Sequence, residues 1–318
     1  MVAALVPVQR AGFEPWLADL TGRSVTVVGA GGFIGAQVCG AALAAGGRVF
    51  AFALDEPWRL AAVEHPRLDV RTVADWWSVR DPRLLAAVRS ADAVCLLAYT
   101  PPPEREPTAW LGHERAINRD GAERLAAAAT GTVVFTSSAD VYGTFHRTPV
   151  DERVATAPST PYAVAKSETE ARLPGAARLR LSTVFGPGEL GPRAVPRFAR
   201  ALLDGVRPTV EGDGSDRRDY VHVRDVAAAI VNAAASGCRE TLNIGSGVAR
   251  TTSSVLDDVA SAVGVPANPL FVSSPREPSH ISLDVRMARD MLDYQPSTDF
   301  RGALAEEVGW LRESAAQS

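Results

Sequence analysis

Short unbroken apolar runs alternate along the chain with longer stretches whose apolar residues recur at helical spacing, starting from Ser24-Val25-Thr26-Val27-Val28. A run of this length closed by glycine reads as a strand buried on both faces. Gly29-Ala30-Gly31-Gly32-Phe33-Ile34-Gly35 follows, then an alanine-rich helix as far as Ala45. Further strands are predicted at 48–54, 69–73, 91–98, 132–137 and 179–184, and helices at 82–88, 121–129 and 162–173. Strands alternating with helices imply an α/β fold, a Rossmann-type doubly wound parallel sheet. Beyond Gly186-Pro187-Gly188 the rhythm breaks into proline- and glycine-punctuated segments, with helices expected at 195–203, 223–235, 253–263 and 300–312. That change predicts a smaller C-terminal α/β lobe. The expected division is a leader over 1–22, a sheet domain over 23–185 that also receives about 220–248, and the smaller lobe from 186–219 and 249–318. The run from Pro101 to Thr108 reads as a surface loop near the carboxyl edge of the sheet.

Composition narrows the class. A chain of 318 residues is long enough to bury a large core, and a formal net charge of -4 supplies no basic field for nucleic acid. Cys39, Cys95 and Cys238 are odd in number, far apart and set in apolar sequence, so they read as buried thiols in a reducing, cytoplasmic setting, with no disulfide and no metal site. Met1 to Val8 is apolar but short and lacks a basic leader, and no run approaches a membrane span. Neither export nor membrane insertion is expected.

Two clusters carry chemistry. Gly29, Gly32 and Gly35 close a strand and open a helix, which lets the backbone approach a pyrophosphate at the positive helix N-terminus. The usual spacing for an acid on the adenosine ribose lands on Ala53, with Asp55 two residues later. Asp55 and Glu56 would repel a 2'-phosphate, which favours NAD and leaves NADP open. Asp75, after the third strand, is a candidate adenine contact and equally a helix cap.

The second cluster centres on Lys166, the single lysine among 33 Lys+Arg residues, four positions after Tyr162. A lone lysine would fall at that offset from some tyrosine by chance in roughly 2% of arrangements. Spacing of i,i+4 puts both side chains on one helix face, where an ammonium together with an oxidised nicotinamide is expected to draw a phenol down from its usual pKa of about 10 and make it a general base. Ser138 ends a strand at the carboxyl edge of the sheet, placed to hydrogen-bond a substrate oxygen.

These motifs, with Asn118-x-x-Gly121, Phe185-Gly186-Pro187-Gly188, Gly212-Asp213-Gly214, Arg218-Asp219-Tyr220-Val221-His222-Val223, Asp225-Val226 and Asn243-Ile244-Gly245-Ser246-Gly247, occur in an order that resembles the extended short-chain dehydrogenases/reductases of the nucleotide-sugar epimerase/dehydratase family, from about Ser24 onward. The resemblance implies that Ser138, Tyr162 and Lys166 form a catalytic triad. It also implies that Phe33, Ile34, Ala98 and Asn118 join the glycines in an NAD(P)-binding Rossmann domain, and that the smaller lobe holds a UDP- or dTDP-linked sugar. Arg218 and Arg276 would clamp its diphosphate, and their forks suit phosphate oxygens.

Departures from the family pattern narrow the chemistry. The 4,6-dehydratases of this family carry Asp-Glu where this chain has Ala139-Asp140, so the acid for water elimination is missing at Ala139. Asp140 remains as a carboxylate beside the sugar or as a turn residue. Thr183 stands where many epimerases place asparagine, a change that resembles 4-ketoreductases. The expected activity is 4-epimerisation through a transient 4-keto sugar. The alternatives are NAD(P)H-dependent reduction of a 4-keto-6-deoxy sugar and a catalytically silent dinucleotide-sensing protein. The resemblance implies a homodimer through the helix bearing Tyr162, an expectation weakened by the early interruption at Pro174-Gly175.

Overall fold

The computed structural model describes residues 13, 15–101, 111–144, 148–274, 278–296 and 299–315. Arg276, most of the expected leader and residues 102–108 of the expected surface loop lie outside them.

In chain order the elements are β1 (Ser24–Val28), α1 (Phe33–Ala44), β2 (Arg48–Ala53), β3 (Leu68–Thr72), α2 (Pro82–Ser90), β4 (Ala93–Leu96), a π-helical segment (Glu114–Arg119) running into α3 (Asp120–Ala128), and β5 (Thr132–Ser138). A 3₁₀ turn (Ala139–Tyr142) leads on to α4 (Pro161–Arg172), β6 (Ala177–Leu181), β7 (Thr183–Phe185), α5 (Ala194–Leu203), β8 (Thr209–Glu211), β9 (Arg217–His222) and α6 (Val223–Ser236). The chain ends with β10 (Thr241–Ile244), β11 (Ala249–Thr251), α7 (Thr252–Val263), β12 (Leu270–Val272), α8 (Arg286–Leu292) and α9 (Phe300–Ala315).

Seven strands form one parallel sheet in the order β10-β6-β5-β4-β1-β2-β3. The order reverses between β1 and β4, and ligands of such sheets bind in the crevice at that switch point. Both faces are covered. Val27, Ala36 and Ile230 belong to the core on the side of α1 and α6, while Val28, Leu84 and Leu125 belong to the core on the side of α2 and α3. Double coverage explains why β1 and β4 read as unbroken apolar runs. Helix α6 is buried almost all round, and its one amide, Asn232, accepts from Ala18 N and donates to Trp16 O and Leu292 O. A buried amide so satisfied ties the segment at Trp16 and Ala18 and the end of α8 to α6.

One expected element divides. The run 179–184 does not continue as a single strand: β6 ends at Leu181, and after the Ser182 N–H bonds Ile244 O the backbone leaves for a three-stranded sheet of order β11-β9-β7. No glycine or proline interrupts Leu179-Arg180-Leu181-Ser182-Thr183-Val184, so no breaker marked the change of partner. The consequence is functional, because Thr183 now pairs in register with Tyr220, two residues from Arg218. A second core, including Phe185, Phe198, Tyr220, Leu256 and Phe300, fills the region around α5, α7 and α9.

Candidate functional site

A cavity of about 350 Å³ opens over the carboxyl ends of β1, β2 and β4, lined by Gly29, Gly32, Asp55, Trp76, Ala98 and Tyr99 among others. Gly29 has φ +95°, and a Cβ there would stand 2.6 Å from Ala98 N. At Gly35 a Cβ would stand 2.1 Å from Gly29 O, so β1 and α1 approach as closely as backbone permits. Phe33 and Ile34 open α1 at this point and pack against the core. No side chain caps the N-terminus of α1, and its first turn carries no acid. Uncapped N–H groups at a positive helix end, in a cradle that a Cβ would fill, fit a dinucleotide pyrophosphate.

Asp55 and Glu56 line the cavity, as does Ala53, where the usual spacing lands. Asp75 instead closes a turn, accepting from the Ser78 N–H at 3.0 Å and from the Ser78 hydroxyl. Asn118 accepts from Thr100 N and donates to Thr100 O and to Glu114, so its side chain fastens the loop after β4 to the π-helical segment. Arg59, which no motif marks, donates to Gly31 O and Gly188 O and lies over the Trp58 ring, joining the glycine turn to Gly186-Pro187-Gly188. Burial lowers its pKa, against the opposing field of Glu189.

Local sequence sets the catalytic geometry. Thr160 Oγ1 accepts from Ala163 N at 3.2 Å and Pro161 occupies the first turn, so α4 starts just ahead of Tyr162 and puts Lys166 one turn on. Lys166 is buried and donates to Thr136 O at 2.8 Å, with its ammonium 4.8 Å from the Phe135 ring centre and 5.8 Å from that of Tyr162. Burial lowers its pKa to about 8, against the opposing fields of Glu114 and Glu170. Ser138 Oγ accepts from Asp140 N at 3.2 Å, which fixes the hydroxyl at the end of β5.

The protein's own charges do not by themselves draw the phenol down. Burial pushes Tyr162 up to about 12, with Asp140 and Glu114 adding to the rise and Arg193 and hydrogen bonding from Ser138 opposing it. A low-dielectric pocket disfavours the tyrosinate more than the nearby charges favour it. Glu114, fully buried, was also missed by the sequence reading. It accepts from the Tyr99 hydroxyl and, at 2.9 Å, from Asn118 Nδ2, and the Tyr99 ring stands edge-on to Tyr162 with centres 5.1 Å apart.

On the far side of Tyr162 lies a second cavity of about 80 Å³, lined by Ser138, Asp140, Tyr162, Thr183, Arg193 and Arg218 together with Ala139, Ser182, Asp219 and Leu283. Five residues singled out from sequence therefore meet in one place. Arg218 and Asp140 pair loosely at 3.5 Å, both partly exposed, a contact worth little in free energy. Asp219, although it lines this cavity, also holds the wall together: it accepts from Ser246 N, Ser246 Oγ, Gly247 N and Leu283 N. The motifs 218–223 and 243–247 are thus two halves of one buried clasp that holds this wall. Burial still raises the carboxyl's pKa despite those four donors.

The sequence model of the NAD dependent epimerase/dehydratase family matches residues 25–245. A UDP-glucose 4-epimerase of Mycolicibacterium smegmatis is 35% identical over 220 residues, covering 63% of this chain and 69% of that protein. A dTDP-glucose 4,6-dehydratase of an Actinoplanes species is 29% identical over 193 residues, 57% of this chain and 60% of that protein. Among solved structures, MoeE5 in complex with UDP-glucose and NAD has a TM-score of 0.78 at 28% identity, over 92% of this chain and 99% of that one. The same protein has also been solved with UDP-glucuronic acid and NAD.

Proposed function

The chain belongs to the NAD-dependent epimerase/dehydratase family of extended short-chain dehydrogenases/reductases, and from that premise we propose that it epimerises a UDP- or dTDP-linked sugar at carbon 4 through a transient 4-keto form. The observation that carries the reading is that Ser138 and Tyr162 line the arginine-bearing cavity with Lys166 one helical turn on, held on Thr136 O, while Tyr99, edge-on to Tyr162, lines the glycine-cradled cavity. In this reading Tyr162 takes the proton of the sugar 4-hydroxyl and later returns it, while Ser138 orients the oxygen. Lys166, held on Thr136 O, supplies positive charge beneath the phenol. The cradle of Gly29, Gly32 and Gly35 would hold NAD, which would supply reversible hydride exchange with carbon 4 and a positive charge near the Tyr162 phenol. Arg218 serves the diphosphate, and Arg276 is retained as its partner in that role.

Ala139 lines the second cavity where an eliminating enzyme needs an acid, which supports epimerisation over dehydration. Thr183 in the same cavity favours a second reading, one-way reduction of a 4-keto-6-deoxy sugar. The dinucleotide released on denaturing the purified protein separates the two. Tightly held NAD, with epimer formed without added cofactor, supports the first, and an empty site that prefers NADPH supports the second. Tyr162→Phe should lower turnover by about 10²- to 10⁴-fold while NAD stays bound, and unchanged turnover would remove Tyr162 from the mechanism. Cys39, Cys95 and Cys238, free and buried, support a cytoplasmic setting, and sedimentation would test the homodimer that the resemblance implies.

A further inference from the structure

Building on the epimerase reading, we propose that Glu114 is the buried counter-charge of Lys166 and that, with Tyr99, it forms a positioning pair for the base. Carboxyl, ammonium and phenol meet at one ring. Glu114 accepts from the Tyr99 hydroxyl, and the Lys166 ammonium stands 5.7 Å from the centre of the Tyr99 ring. The same ring is edge-on to Tyr162, with centres 5.1 Å apart, and lines the glycine-cradled cavity. Asn118, one turn on in the π-helical segment, bonds the other Glu114 oxygen at 2.9 Å and is itself tied to Thr100, so the carboxyl is fixed from both sides.

A cation taken out of water needs a compensating charge. Lys166 is buried, and among the described residues its ammonium bonds only a neutral carbonyl, Thr136 O, with the rings of Phe135, Tyr99 and Tyr162 around it. Glu170, on the same helix, is already committed, because Arg180 holds both its oxygens at 2.6 to 3.2 Å. In the second cavity Asp140 and Arg193 act on the phenol, but Asp140 is half exposed and paired with Arg218, and Arg193 is paired with Glu189. Glu114 is left. It is fully buried, and its donors among the described residues, the Tyr99 hydroxyl and the Asn118 amide, are both neutral. The electrostatics agree with the geometry: Glu114 is the largest influence opposing the burial that lowers Lys166 to about 8, ahead of Glu170, and it also pushes Tyr162 up. The ammonium is thus balanced within the protein. Ionisation of Tyr162 is left to positive charge brought into the cavity that Tyr99 lines, where the glycine cradle would hold NAD.

Lys166 is the single lysine of the chain, so lysine isotopically labelled at its ε carbon gives one side-chain magnetic resonance signal, whose titration is followed in the NAD-loaded full chain and after NAD is removed. In Glu114→Gln the ammonium should lose its proton about tenfold more readily, at a pH about one unit lower than in the parent, in both forms. Tyr99→Phe, which keeps both charges and removes only the hydroxyl, should stay within about threefold of the parent. If Glu114→Gln does not fold, urea unfolding of Lys166→Met takes its place: that variant strands the Glu114 carboxyl, and the double variant Lys166→Met/Glu114→Gln should be the more stable of the two. An unshifted lysine signal in Glu114→Gln, or no rescue in the double variant, overturns the inference and leaves the epimerase reading standing. A shift in Tyr99→Phe as large as that in Glu114→Gln assigns the effect to the phenol and also overturns it. A parent chain that binds no NAD removes the epimerase reading itself, and with it the role given to this pair.

Discussion

Gly35→Ala puts the cofactor cradle under a defined load. The added Cβ would stand 2.1 Å from Gly29 O, 2.8 Å from Gly29 C and 2.9 Å from Ala30 Cα, whereas ordinary contact begins at 3.4 Å. Relief at the closest atom requires about 1.3 Å of separation, the difference between 3.4 and 2.1 Å. All three neighbours are backbone, so no side-chain rotation absorbs the strain, and β1 and α1 must part. Overpacking of this kind costs about 1–3 kcal/mol of stability. The larger effect falls on binding, because N–H groups aimed at a pyrophosphate lose alignment when displaced by about 1 Å. We expect NAD affinity to drop at least tenfold on titration of stripped protein, and urea unfolding to report the stability loss. Gly309→Ala is the matched control: it lies within α9 with nothing within 4 Å of the new Cβ, and should gain about 0.5–1 kcal/mol. Wild-type NAD affinity together with wild-type stability in Gly35→Ala would refute the close-approach argument.

Two further perturbations test the frame around the site. Arg180 and Glu170 form a buried bidentate pair at 2.6 to 3.2 Å that joins β6 to α4, so Arg180→Met should cost about 3–5 kcal/mol by stranding a carboxylate. In urea the double variant Arg180→Met/Glu170→Leu should recover most of that, and no recovery would contradict the desolvation argument. Glu307, buried near Glu189 and bonded only through Oε2 to Gly186 N, has its carboxyl pushed up to about 8, chiefly by burial. A folded pKa raised above the unfolded value gives stability that is present in acid and lost as pH rises through about 8. Glu307→Gln should therefore match wild type near pH 4 and become progressively more stable than it toward pH 9, whereas a pH-independent difference would show that Glu307 ionises normally.

The parallel order of strands, the glycine turn after β1 and the i,i+4 placement of Tyr162 and Lys166 were legible in the chain because each is encoded within a few residues. A glycine forced by close approach, a capped helix start and a buried strand all leave local marks in residue type and spacing. Asp75 shows the limit of such marks: its position suited an adenine contact or a helix cap, and the structure instead gives it Ser78 as partner in a turn.

What the tertiary structure decided depends on residues far apart in sequence. The switch of sheet at Ser182, the clasp of Asp219 on Ser246, the bridge from Arg59 to Gly188 and the approach of Glu114 to Tyr162 all rest on such pairings. The protonation of Tyr162 belongs with them. Spacing guarantees that a lysine shares its helix face, but the pKa balances that charge against burial. How much water a phenol loses is set by everything packed around it, which no local pattern records.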